Sequence, residues 1–130
     1  MQPDGRFGPD GTRIKTLLTY YHVRRDARAL DAAKAEGRFI ANNDRLTKLF
    51  GSATAIRPLL NLADASGEAV FVDLALKIAE VEQLRMLEQP KEGTHGITAC
   101  MVPDAYASLY ERTGNRRYLD WALQGWQAVP

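Results

Sequence analysis

Apolar residues recur at helical spacing through most of the chain. Ile14, Leu17, Leu18 and Tyr21 share one face of a helix that begins near Arg13. Arg25-Asp26 interrupts it, and Asp26 is placed to cap the next helix, whose stripe is Leu30, Ala33, Gly37 and Ile40. Asn42-Asn43-Asp44 reads as a turn, and Leu46 to Phe50 as a short helical piece ending at Gly51. A third helix covers Ala53 to Ala65, with Pro58 making its first turns irregular and Ser66-Gly67 ending it. Phe71, Leu74, Ile78, Val81 and Leu84 form the stripe of a fourth helix, stopped by Pro90. After a polar loop from Lys91 to Gly96, apolar positions return at Ile97, Val102, Tyr106 and Leu109, with the regular helix expected to start near Pro103. Gly114 closes that helix and Asn115 caps a last one, striped by Tyr118, Leu119, Ala122 and Trp126.

The pattern repeats. A shift of 47 places Leu109, Gly114, Asp120, Ala122 and Leu123 on Leu62, Gly67, Asp73, Ala75 and Leu76. A shift of 89 places Tyr110, Arg117, Leu119, Asp120 and Ala122 on Tyr21, Arg28, Leu30, Asp31 and Ala33. Self-similarity at this spacing is the mark of stacked helical units. The expected fold is therefore all-α: six helices in three antiparallel hairpins, read as a single domain over residues 1–130. Units of this kind bury their apolar faces against neighbours, and terminal units ordinarily carry a polar cap. The last unit instead carries Trp121 and Trp126, which points to a helical ring continued elsewhere, in more chain or in a partner.

Bulk composition narrows the function classes. Seventeen basic and sixteen acidic residues leave a formal charge of +1, which makes no electrostatic case for nucleic acid or an anionic membrane. No run approaches the roughly 20 apolar residues needed to span a bilayer. Met1 to Gly5 does not read as a signal peptide, so the chain as written is expected in the cytoplasm. Cys100 is the single cysteine, so an internal disulfide and a thiolate metal cluster are both excluded.

Four stretches carry a family resemblance. Leu109 to Ala122, "LYERTGNRRYLDWA", looks like the hairpin turns of carbohydrate-active enzymes built as (α/α)6 toroids. Asp4 to Pro9, "DGRFGP", resembles a "DGWFGP"-like loop, and Leu17 to Ala33, "LLTYYHVRRDARALDAA", resembles an "LLxYYxxTGDxRxLxxA" hairpin. Thr94 to Thr98, "THGIT", resembles an "HGVN"-like loop leading into an inner helix. Together they resemble the β-L-arabinofuranosidase family, glycoside hydrolase family 127. The resemblance implies three hairpins of a partial (α/α)6 toroid. It also implies a non-catalytic portion of an enzyme acting on plant-type glycans, forming one wall of the sugar pocket and inactive by itself. Carbohydrate substrate and the remainder of the toroid, or a partner chain, are the implied partners. Thr98 and Arg24-Arg25 depart from the family pattern. The cysteine nucleophile, glutamate and cysteine-rich zinc site associated with the family have no counterpart here. No catalytic residue, metal ligand or cofactor is therefore assigned to this chain, and the implied zinc belongs to residues it does not contain.

Three residues are candidate sugar contacts. His95 precedes an inner helix in a glycine-containing loop, and imidazole exchanges hydrogen bonds with hydroxyls. Phe7, among Gly5, Gly8 and Pro9, offers a ring that an apolar sugar face can stack on. Asp104 is expected to open the inner helix near His95 and to face a pocket or serve the helix start. His95 and Cys100, with only His22 elsewhere, are too few for a zinc site. Asp31, Asp73 and Asp120 recur at one place in three units, which marks them as architecture rather than as a paired-carboxylate active site. Two alternatives stand beside the glycosidase reading. One is a helical-repeat scaffold for a protein partner. The other is a different (α/α)6 carbohydrate enzyme, such as a sugar epimerase or an unsaturated glucuronyl hydrolase.

Overall fold

The computed structural model describes residues 11–43, 52–88 and 96–127. Among the described residues six α-helices run in chain order: α1 Thr12–Arg24, α2 Ala27–Ala41, α3 Ile56–Ser66, α4 Val70–Glu88, α5 Gly96–Thr113 and α6 Arg116–Gln127. A 3-10 turn, Ser52–Ala55, leads into α3, where Pro58 had predicted an irregular start. No strand occurs among the described residues. The helices pack as pairs, α1 on α2, α3 on α4 and α5 on α6. The first helices of the pairs also neighbour one another: α3 touches α1 on one side and α5 on the other.

The repeat turns out to be a repeated turn. Gly114 and Gly67 both take left-handed backbone, with φ of 71° and 72°. Each donates its N–H four residues back, Gly114 to the Tyr110 carbonyl and Gly67 to the Ala63 carbonyl. Arg25 occupies the same column in the first hairpin, adopts φ 55° and donates to the Tyr21 carbonyl. An L side chain costs about 1–2 kcal/mol in this region, where glycine costs little. The first hairpin therefore keeps the turn despite lacking its glycine. In the first and third hairpins the residue after the turn caps the next helix. Asp26 accepts from the Arg28 N–H at 3.0 Å, and Asn115 accepts from the Arg117 N–H at 3.1 Å. Arg28 also binds the Asp26 carboxylate through its side chain and holds it below the ordinary carboxylate range.

Two columns of the repeat have opposite fates. Ala33, Ala75 and Ala122 are all buried, because a small side chain lets paired helices approach. Asp31, Asp73 and Asp120 are all exposed, and Asp120 pairs with Arg116 one turn earlier in α6.

The core joins all three pairs: Ile14, Ile40, Ile56, Leu59, Leu62, Phe71, Ile78 and Leu109 are fully buried. Each such side chain contributes roughly 1.5–3 kcal/mol by leaving water. Gly37 is a close approach, since a Cβ there would lie 2.6 Å from Phe71 Cε1 and 2.9 Å from Leu62 Cδ2.

Three expectations need correction. Leu84 is 61% exposed, and the buried stripe of α4 continues through Ala75, Ala79 and Glu82 instead. A 19-residue helix with apolar residues on several sides leaves the choice of face to its neighbours. Pro103 lies inside α5 rather than at its start, because the helix already begins at Gly96. The proline is buried where α6 passes closely over it at Gly125. Trp126 belongs to the predicted stripe of α6 but is 62% exposed. The expected helical piece from Leu46 to Phe50 lies outside the described residues.

Candidate functional site

The layer of first helices carries an open cleft of about 200 Å3. Thr12 and Lys15 of α1, Arg57 and Asn61 of α3, and Asp104 of α5 supply its polar lining, with Thr54 from the 3-10 turn. Pro58, Met101 and Ala105 supply apolar floor. A shallower neighbour of about 400 Å3 shares Arg57 and Asn61 and runs on past Ser108 and Glu111 to Arg112. The two form one trough along α3 and α5.

The repeat explains why these residues meet. Lys15, Arg57 and Asp104 occupy one column of the three aligned units, and Thr19, Asn61 and Ser108 occupy the column one turn further on. Equivalent positions on neighbouring helices form a row, and the row of polar positions is the trough. Reading the alignment back from the turns into the first helices would have exposed Arg57, Asn61 and Lys15 in the sequence.

Asp104 sits at the centre of the row. Arg57 donates to both its carboxylate oxygens, Nε at 2.8 Å and Nη2 at 2.9 Å. The side chains are 54% and 55% exposed, so the pair is fixed in geometry yet open to solvent. A planar guanidinium locked in this fork holds the carboxylate rigidly, and each oxygen keeps a lone pair for a further donor. Asp104 is the ninth residue of α5, so the expectation that it opens the helix is not met and helix-start duty is excluded. Further along the trough, Arg112 donates to Asp64 at 2.6 Å, which ties α5 to α3 a second time.

Phe7 and His95, the other two predicted contacts, lie outside the described residues. The described lining contains no aromatic side chain. Three aromatic residues meet instead between α5 and α6. Trp121 meets Tyr106 and Tyr118 edge-on at 5.5 and 5.3 Å, and Arg117 lies over the Tyr118 and Trp121 rings. Arg117 also reaches Glu80 of α4. Beside this cluster Glu82 and Arg85 form a largely buried ion pair. The Tyr106 hydroxyl is buried without a hydrogen-bond partner among the described residues. Burial, reinforced by the Glu82 charge, raises the Tyr106 pKa well above its ordinary value.

Among the described residues no group of three or more histidine, cysteine, aspartate or glutamate side chains is placed to hold a metal ion. No described helix is long and apolar enough to cross a membrane. No family model, no curated protein and no solved structure matches the chain.

Proposed function

We propose that the chain is a non-catalytic, carbohydrate-binding portion of a helical toroid of the β-L-arabinofuranosidase type, whose first-helix layer forms one wall of the sugar pocket. The supporting observation is the Lys15–Arg57–Asp104 row, in which three hairpins bring a cation, a clamped carboxylate and the Asn61 amide to one open cleft. Sugars are recognised by hydroxyl pairs, and a carboxylate beside amide and ammonium donors offers the acceptors and donors such pairs require. The Pro58, Met101 and Ala105 floor suits the apolar face of a pyranose or furanose ring. Hydrolysis requires catalytic groups supplied by other parts of the toroid.

Titration with arabinofuranosyl and other plant-type oligosaccharides, followed by amide chemical shifts, tests this reading. Shifts concentrated at Lys15, Arg57, Asn61 and Asp104, and lost in Asn61→Ala, are expected. A chain that shows no saturable shifts with any of the saccharides would abandon the reading.

One observation favours a second reading, a scaffold for a protein partner. The polar row does not stop at the helix ends but continues along α3 and α5 to Glu111 and Arg112. A peptide lying along this trough would move Ser108, Glu111 and Arg112 together, whereas a sugar would not.

A further inference from the structure

We infer that the chain associates head to tail with a second copy of itself, α6 of one copy docking on α1 and α2 of the next. Two junctions between successive hairpins are already present within the chain. At the first junction α2 presents Gly37, and the following hairpin fills the space with Leu62 and Phe71. The alignment puts Gly37, Ala79 and Trp126 in one column. Gly37 and Ala79 are buried, whereas Trp126 is 62% exposed. On the receiving side the column is Tyr20, Leu62 and Leu109. Leu62 and Leu109 are fully buried, whereas Tyr20 is 51% exposed. Each column therefore has one uncovered member, and the two uncovered members lie on opposite ends of the stack.

The exposed receiving residue for Trp126 is Tyr20, because Ala29, in the column of Phe71 and Tyr118, is already buried within its own hairpin at 7% exposure. Leu123, three residues before Trp126 on α6, adds exposed apolar surface to the docking face. The polar edge follows the same register. Arg38 reaches Glu68 in the next hairpin's turn, and Glu80 reaches Arg117 just past the turn after that. The third member of that column is Gln127, which in a docked copy faces the turn holding Asp26 and Arg28. Such an interface is heterologous, so it propagates or closes. This docking does not depend on the ligand of the trough, so either idea can fail without the other.

The test measures molar mass by light scattering during size exclusion, across a concentration series of the 130-residue chain. The wild-type chain is expected at two chain masses or above. Trp126→Glu and Tyr20→Glu are each expected at one chain mass with unchanged far-UV circular dichroism. Mixing them restores a two-chain species, because each variant retains the end that the other lacks. Should either variant lose its helix signal, Leu123→Ser reads the same α6 face with a milder change. A wild-type chain that stays at one chain mass at the highest concentration, variants that associate as well as wild type, or a mixture that remains at one chain mass would each overturn the inference.

Discussion

Gly37 of α2 lies so close to Phe71 of α4 that a methyl group on it would stand 2.6 Å from the ring. This contact sets the distance between the first and second hairpins. Gly37→Ala must push back Phe71 and Leu62, both fully buried. The substitution is expected to cost about 1–3 kcal/mol, because overpacking forces side chains off their rotamers. Urea denaturation checks it: the midpoint should fall with the slope unchanged.

Arg25 holds left-handed backbone in the column that glycine fills in the other two turns. Arg25→Gly relieves the Cβ clash and adds back some unfolded-state entropy. The net expectation is a gain of about 0.5–1 kcal/mol. Thermal unfolding should show a higher midpoint than wild type. A lower one would mean that the arginine side chain contributes more than its backbone costs.

The Tyr106 hydroxyl is buried with no partner among the described residues. Removing an unsatisfied polar group costs nothing in hydrogen bonding, so Tyr106→Phe is expected to be neutral or stabilising by about 1 kcal/mol. A loss of similar size would reveal a bound water or a bond made by the hydroxyl.

The same tyrosine makes stability depend on alkaline pH. Its folded pKa is raised by burial and by Glu82, so the folded state favours the neutral phenol. The unfolded chain releases that proton near the ordinary tyrosine pKa of about 10. The contribution is therefore complete below that pH and is lost as pH rises from there towards the folded value. Ultraviolet titration should show one tyrosine failing to ionise until the chain unfolds. Stability measured above that pH should fall less steeply in Tyr106→Phe.

Arg57 and Asp104 are both more than half exposed, so their ion pair is expected to contribute little to stability. A double-mutant cycle with Arg57→Met and Asp104→Asn should give a coupling energy below about 1 kcal/mol. Saccharide affinity, in contrast, should drop at least several-fold in Asp104→Asn. Equal effects on folding and binding would reduce the pair to architecture.

The sequence by itself determined the local structure. The Asp26 and Asn115 caps and the Gly67 and Gly114 stops are short-range physics, and each is found where it was expected. The repeat also separated buried Ala33, Ala75 and Ala122 from exposed Asp31, Asp73 and Asp120, since one register imposes one environment. Only the tertiary structure decided which face α4 buries. Its apolar residues allow more than one choice, and neighbouring helices select Ala79 and Glu82 over Leu84. It also decided what Asp104 does. A carboxylate in the middle of a helix acquires its role from the residue opposite, and Arg57 comes opposite only when α3 and α5 lie side by side. Trp126 is the same lesson at the surface: its spacing marks it as core, yet among the described residues no helix packs over it and it is 62% exposed.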